Sequence, residues 1–401
     1  MMEFLEQLEW VAWMDTRQQS KVRHKLKDIL IIVLFATFAD ADDWVEIEMF
    51  GKIHEAYLRK YAQLENGVPS HDTIQRAMAM VSPEVLQRIQ GQFQETLNRE
   101  EGEKLKKILD IDGGAMGEEE GKGEEESDEA KAVVSIDGKT MRGNKRNGEK
   151  PSHIVSAWNG EDGFCLGQTA VDEKSNEITA IPELLEHINI RKQVVTIDAM
   201  GTQTEIAKKI RLKGADYVLA LKKNHKGPYY EVEEYFQDAD FLKKIRETGG
   251  YKRTEEKAHG RKEVREYYQT EDIKWITQRC EWVGLKSIGM EKKTLKRKDG
   301  SVSVEYRYFI SSLKVDITLF SRAVRQHWSV EVMHWYLDVT FREDANRTID
   351  KNSAQNLNII RKFCLSVLKL VEIIHPRLSM KKKRFAIAHD TEKYLEAVLN
   401  F

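Results

Sequence analysis

The sequence predicts a mixed α/β chain with an all-helical N-terminal domain, and three observations carry that reading. Helical signals fill the first hundred or so residues, an acidic stretch interrupts the chain, and strand-forming runs begin only after it. Beyond the interruption the order is three consecutive strands and then helix and strand in alternation, the signature of a sheet flanked by helices. With 401 residues, 41% hydrophobic and 32% charged, the chain can bury at least one full core and stay soluble, which excludes a disordered tail, a fibre or a mini-protein.

Residues 1–109 form the helical domain. The run ILIIVLFATFA, Ile29 to Ala39, is too short to cross a bilayer and lacks a downstream cleavage pattern, so it reads as a helix buried among others. Ser82 and Pro83 are an N-cap and a first-turn proline, opening another helix. Residues 110–130, rich in Gly and Glu, read as an acidic linker or loop that buries no apolar area. Its GEEEGKGEEESDEA segment holds eight acids and one lysine, so the overall charge of −2 conceals about +5 on the rest of the chain.

The stretches AVVSIDGKTMRG and HIVSAWNGEDGFCLGQTAV predict three strands, the last two joined at NGEDG. EITAIPELLEHI reads as a helix, KQVVTIDAMG as a buried strand, TEIAKKIRLKG as a helix closed by Gly214, and DYVLALKKN as another strand. That order matches an RNase H-like mixed sheet, with the domain covering 131–370. Alternating runs such as TEEKAHGRKEVREYYQT and SVSVEYRYFISSL make 226–316 a β-rich insertion, the chain is helical again from Leu319 to about Leu370, and 371–401 reads as a helical tail carrying Lys381, Lys382, Lys383 and Arg384. Cys165, Cys280 and Cys364 lack paired spacing, which argues against a disulfide framework or structural zinc and suits the cytoplasm.

The chemistry points to carboxylates. Asp137 closes AVVSID and Asp198 closes QVVTID, at the carboxyl ends of strands, where open α/β sheets place their ligands. One such aspartate is ordinarily a turn cap; two on strands that neighbour each other in this fold make a divalent cation the better explanation. Val324, Trp328, Glu331, Trp335 and Asp338 fall on one helical stripe, which makes Glu331 the third acid; an ion pair with Arg325 or Arg342 is the bland alternative, and Asp338, Glu343 and Asp344 are competing acids. Three carboxylates around Mg²⁺, with Mn²⁺ as a substitute, suit phosphodiester chemistry without a covalent enzyme nucleophile. His327 and His334 read as polar contacts rather than metal ligands, and Trp328 and Trp335 as core. Lys139 and Arg142 follow Asp137, while Lys222, Lys223 and Lys226 follow the DYVLAL strand, a clustering of cations that suits DNA.

The blocks IDGKTMRG, HIVSAW, DEKSNEITAIPELL, TIDAMG, GADYVLALKKN, HGRKEVREYY and HWSVEVMHWYLDVTFREDAN, in this order, resemble those of the ISAs-type bacterial insertion-sequence transposases, which include the H-repeat-associated proteins. DTRQQSKVRHKLKDIL, FGKIHEAYLRKY and GVPSHDTIQR resemble that family's N-terminal associated domain, so the likeness covers nearly the whole chain. It implies a DDE transposase with an RNase H-like core that binds two Mg²⁺ ions, cuts DNA at the element ends and joins the 3′ ends to target DNA. The acids map onto Asp137, Asp198 and Glu331, which serve as both catalytic residues and metal ligands. Lys139, Arg142, Lys222, Lys223, Arg325 and His327 are the expected DNA contacts, and a homo-oligomer on DNA is the expected assembly. The sequence departs from the pattern at two points. Val332 and Met333 alone separate Glu331 from His334, one residue fewer than in many relatives, and the arginine and lysine positions of a related tyrosine-arginine-glutamate-lysine signature hold His327 and Asp338. A nuclease without strand transfer and a catalytically dead DNA-binding relic are the alternatives.

Overall fold

Continuous hydrophobicity in the N-terminal region produces a helix buried on every side. The computed structural model describes residues 2–13, 15–93, 131–145, 151–171, 176–258, 261–375 and 378–400; the acidic 110–130 stretch lies outside them. Its first helices are α1 (Met2–Ala12), α2 (Leu26–Phe38), α3 (Trp44–Ile53), α4 (Glu55–Leu58), α5 (His71–Met80) and α6 (83–93), the last opening at Pro83 as expected. Every residue of α2 from Ile29 to Phe38 is buried. No helix among the described residues is long and apolar enough to cross a membrane.

The chain divides into two compact units, one made of residues 130–140 and 153–334, the other of 1–129, 141–152 and 335–401. The first is built on a sheet. Strands β1 (Val133–Thr140), β2 (His153–Asn159) and β3 (Phe164–Val171) form the antiparallel meander, followed by α7 (Glu177–His187), β4 (Val194–Ile197), α8 (Thr204–Leu212) and β5 (Asp216–Leu221). Beta-branched residues dominate β1 and β4, which pair in parallel, and β4 pairs in parallel with β5. Gly214, at φ +73°, takes the left-handed conformation just past α8 that a side chain would resist. The fold is therefore the RNase H-like mixed α/β sheet that the element order implies.

The region read as a β-rich insertion opens instead with two helices, α9 (Lys226–Gln237) and α10 (Ala239–Glu247). In α9 Val232, Tyr235 and Phe236 bury one helical face, a period of three to four that the neighbouring strand-like runs masked. Then come β6 (Tyr251–Ala258), β7 (Arg261–Thr270), β8 (Ser287–Lys296) and β9 (Val302–Ser311), antiparallel as expected. They do not form a separate layer. β9 pairs antiparallel with β5, so the described residues form one nine-stranded sheet in the order β3-β2-β1-β4-β5-β9-β8-β7-β6. Gly289 in β8 lies against the buried Phe320 ring, where a methyl group would overlap the aromatic carbons. Gly289→Ala is expected to lower stability by about 1–3 kcal/mol, the usual cost of overpacking a filled core. Urea unfolding checks this, and a loss no larger than that of a surface substitution would mean that Phe320 has room to move.

Two helices follow the sheet, α11 (Ile317–Gln326) and α12 (Trp328–Val339), so the chain is helical here as expected but the stripe from Val324 to Asp338 is broken at His327. The remaining helices α13 (Lys351–Leu370), α14 (Met380–His389) and α15 (Thr391–Leu399) belong to the same unit as α1–α6. Phe4 stacks on Phe363 at 4.2 Å, and Trp44 Nε1 donates to Thr348 Oγ1 at 2.8 Å. Asn356 Nδ2 donates to the Met78 and Val81 carbonyls at 2.7 and 2.8 Å, supplying acceptors at the end of α5 with a partner. Of the C-terminal basic cluster, Lys381 and Lys382 face solvent, whereas Lys383 and Arg384 are internal.

Candidate active site

Parallel pairing brings the two aspartates side by side. The β1–β4 register runs from Val133↔Val194 to Ile136↔Ile197, so Asp137 and Asp198 each stand one residue past the last pair of these neighbouring strands. Asp198 follows the end of β4, whereas Asp137 does not close its strand as expected: β1 continues to Thr140, and Asp137 pairs with Ser156 of β2. Gly138 follows Asp137 because a Cβ there would overlap the side chains of Glu177 and His153, themselves bonded at 2.8 Å. Asp198 does cap its turn: Oδ1 accepts from the Met200 and Gly201 amides at 2.8 and 3.3 Å, while Oδ2 lies 3.9 Å from Lys222 Nζ.

These acids open onto a cavity of about 600 Å³ whose lining includes Asp137, Asp198, Lys222, Lys223, Arg307, Trp328 and Glu331. Glu331 sits three residues into α12, and the carboxyls of Asp137, Asp198 and Glu331 influence one another electrostatically. Burial raises the Asp137 carboxyl from its ordinary 3.8 to about 7; the Gly138 amide opposes this, and the negative charges of Glu177, Asp198 and Glu331 add to it. Desolvation also raises Glu331, although its side chain is reached by solvent, with Arg307 and Lys222 pulling it back and Asp198 pushing it up.

Because the folded Asp137 keeps a proton that an unfolded carboxyl releases near pH 4, the metal-free protein binds more protons folded than unfolded over that interval. This contribution to stability is complete below about pH 4 and is lost as the pH rises through about 7. Asp137→Asn, which buries no charge, should match the wild type near pH 4 and exceed it near pH 8 in chelator. Urea midpoints across that range test this, and parallel profiles for the two proteins would contradict it.

The donor chemistry fits a divalent cation: hard carboxylate oxygens, partly desolvated and mutually repelling, gain from a positive charge among them. The carboxyls converge on the cavity rather than on a point, and no three His, Cys, Asp or Glu side chains among the described residues are close enough to hold one ion together.

The other expected residues divide. Lys222 and Lys223 line the cavity, and Lys139 is half-buried two residues beyond Asp137 in β1. His327 lies at the cavity with Nδ1 3.2 Å from Thr196 Oγ1; burial lowers its imidazole to about 4, so near neutral pH it offers hydrogen bonds rather than charge. Arg325 is directed to Glu256 on β6, at 3.5 Å, and is not among the cavity residues. Arg142 belongs to the helical unit, where its amide donates to Asp344 Oδ1 at 3.1 Å. Neither bland partner holds Glu331: Arg342 bonds Asp42 and Glu46 in the helical unit. Asp338, Glu343 and Asp344 fall in that unit too, and Glu343 is buried there, accepting from Asn358 Nδ2 at 2.6 Å.

Three features differ from the sequence reading or go beyond it. Trp335, expected in the core, is 54% exposed, because the buried face of α12 is Val330, Met333 and Leu337, and Trp335 lies off that face. His334 is nearly buried, with Nδ1 3.6 Å from Asp137 Oδ2, a polar contact of the expected kind but with a specific acid. Arg307 carries no local mark in the sequence, since it lies in an alternating strand; its place opposite the Leu221–Lys222 corner follows only from the β5–β9 pairing.

The chain matches the family model of the DDE_Tnp_1-associated domain over residues 6–94 and that of the transposase DDE domain over residues 128–368. YncI of Escherichia coli O157:H7, a transposase by its name, is 36% identical over 390 residues, covering 96% of this chain and 92% of its own. YhhI of Escherichia coli strain K12, named as an H repeat-associated transposase, is 33% identical over 392 residues, covering 96% and 95%. A cryo-EM structure of a piggyBac transposase synaptic complex with hairpin DNA aligns with all of this chain and 80% of its own at 11% identity and a TM-score of 0.40, too distant to bear on the site. The matched DDE domain spans the whole strand-and-helix order that carries Asp137, Asp198 and Glu331, and with the full-length relatives it places this chain in the DDE-domain transposase family.

Proposed function

We propose that the protein transposes a bacterial insertion sequence, cleaving DNA at the element ends and joining the freed 3′-hydroxyl to target DNA. The observation that carries this reading is the meeting of Asp137, Asp198 and Glu331 on one cavity with Lys222, Lys223 and Arg307 around it. Asp137, Asp198 and Glu331 would hold Mg²⁺ or Mn²⁺. When bound, the ions lower the charge barrier to attack on a phosphodiester and stabilise the oxygen that leaves.

The chain's own residues bind and orient. Asp137 and Asp198 form the rigid side of the site, since Asp137 is fixed within β1 by its pairing with β2, and Asp198 follows the end of β4 and is further fixed by two backbone amides. Glu331 approaches from a helix. Lys222 and Lys223 draw the DNA backbone into the cavity, Lys139 adds a cation two residues beyond Asp137, Arg325 adds an exposed cation, and His327 supplies a neutral hydrogen-bonding edge, while Arg142, in the helical unit, is a further expected DNA contact. The helical domain at 1–109 recognises or pairs the terminal repeats, and a homo-oligomer assembles the two ends.

The assay is labelled DNA carrying the gene's own flanks, incubated with full-length protein and Mg²⁺ or Mn²⁺, with Asp137→Ala alongside. Cleavage at the flanks followed by joined products, both absent in the variant, is the expected result. Cleavage without joining would replace the proposal with a nuclease, and binding without either reaction would replace it with an inactive relic.

A further inference from the structure

Arg307 is a cation brought to the cavity by the β-rich region rather than by the strands that carry the aspartates. It stands in β9, whose register Leu221↔Tyr308 sets it beside the point where the chain leaves β5 for Lys222 and Lys223. Its guanidinium carbon lies 4.6 Å from the centroid of the Trp328 ring, and its Nε donates to Glu305 Oε1 at 2.9 Å. Trp328 is one helical turn before Glu331 on α12, so the stacked guanidinium is placed near the third acid.

The segment around Glu331 offers little positive charge to the cavity. His327, just before α12, is bonded to Thr196, Arg325 at the end of α11 is directed to Glu256, and His334 on α12 is beside Asp137. A phosphate entering the cavity therefore meets lysines from the β5 edge and one arginine from β9. Arginine differs from lysine in presenting a planar fork that can give two parallel bonds to phosphate oxygens. Stacking on an indole fixes the plane of that fork, and the Glu305 contact occupies its Nε, which leaves the terminal nitrogens as the edge for a ligand. Trp328 contributes a second sign of a missing acceptor: its Nε1 is buried and has no hydrogen-bond partner among the described residues.

We infer that Arg307, laid on Trp328, is a phosphate-binding residue of the active site and grips a backbone phosphate of the DNA strand being cut. The identity of that strand rests on the transposase reading; the phosphate contact itself does not.

The test compares wild type, Arg307→Ala, Arg307→Lys and Lys243→Ala, a substitution of an exposed lysine on α10, as full-length proteins on the same flank-containing duplex. In single turnover at saturating DNA with Mn²⁺, Arg307→Ala is expected to cut about 100-fold more slowly, the usual effect of removing one aimed donor. Arg307→Lys should recover only part of that loss, and Lys243→Ala should cut at the wild-type rate. In chelator, the dependence of duplex affinity on salt should become shallower by about one charge in Arg307→Ala. Wild-type cleavage together with a wild-type salt slope in Arg307→Ala would overturn the inference while leaving the transposase reading intact. If the wild type itself fails to cut, that reading falls and the salt slope alone decides Arg307: a reduced slope keeps the phosphate contact and an unchanged one removes it. Circular dichroism melting accompanies each variant, and should the alanine protein melt early, the lysine variant carries the comparison.

Discussion

Alanine at Asp198 is expected to lower metal-dependent cleavage by about 1000-fold or more, with duplex binding in chelator kept. The size follows from the role: a bound cation at a phosphodiester is worth several kcal/mol of transition-state stabilisation, and each 1.36 kcal/mol is about a factor of ten. Binding should survive because the cations that meet the DNA backbone remain and Asp198 adds only repulsion toward phosphate. Its structural work is small enough to separate from the chemistry. Oδ1 caps the turn through Met200 and Gly201, so Asp198→Asn, which retains an acceptor oxygen, preserves the cap and removes the charge. Asparagine and alanine should therefore be equally inactive, while asparagine stays nearer the wild type in urea unfolding. Activity retained by the asparagine protein would show that Asp198 is a turn residue only and would dismantle the site as proposed.

Arg384→Ala should destabilise the helical unit by about 3–5 kcal/mol, the usual cost of breaking a buried charge pair from one side. Arg384 is fully buried, and its Nε and Nη2 donate to the Thr37 carbonyl at 3.1 and 2.9 Å. Nη2 also donates to Asp42 Oδ1 at 2.7 Å, Nη1 bonds the Thr340 carbonyl, and the guanidinium lies over Phe341 at 4.2 Å. Truncation leaves two carbonyls without that donor and a buried Asp42 with Arg342 as its remaining side-chain cation at 2.7 Å. Equilibrium unfolding in urea measures the loss. A change below about 1 kcal/mol, the range of an exposed ion pair, would mean that water or Arg342 takes over the role. Lys381→Ala, by contrast, should be close to neutral, since that side chain faces solvent.

The contrast between Lys381 and Arg384 shows where reading the chain stops. Both stand in one basic run, and nothing in their order separates a solvated lysine from an arginine that holds helix ends together. In the sheet unit the legible features were those with local causes. Asp137 and Asp198 are legible because each follows a run of β-branched residues and precedes a glycine within three positions, and Glu331 because helical spacing places it with Trp328, although only Asp198 precedes a turn and β1 runs on past Asp137. Trp335 shares that spacing and is nevertheless exposed, since periodicity identifies a face without telling which face the neighbouring elements cover. The helices α9 and α10 are hidden for a related reason: the apolar residues of α9 include the strand formers Tyr229, Tyr230, Val232, Tyr235 and Phe236, and the alternating strands after them dominate the pattern.

By itself the sequence determined the class of this protein: a helical N-terminal region, an RNase H-like strand order, acids after β-branched runs and the resemblance to insertion-sequence transposases, all carried by local propensity and short blocks. Tertiary structure decided what lies opposite what. Pairing of β5 with β9 makes the β-rich region part of the main sheet and delivers Arg307 to the acids, and the same folding turns Arg325 toward Glu256 and gives His334 to Asp137. These relations join residues separated by tens to hundreds of positions. Hydrogen-bond register and burial set them, and neither leaves a mark on the residues nearby in the chain.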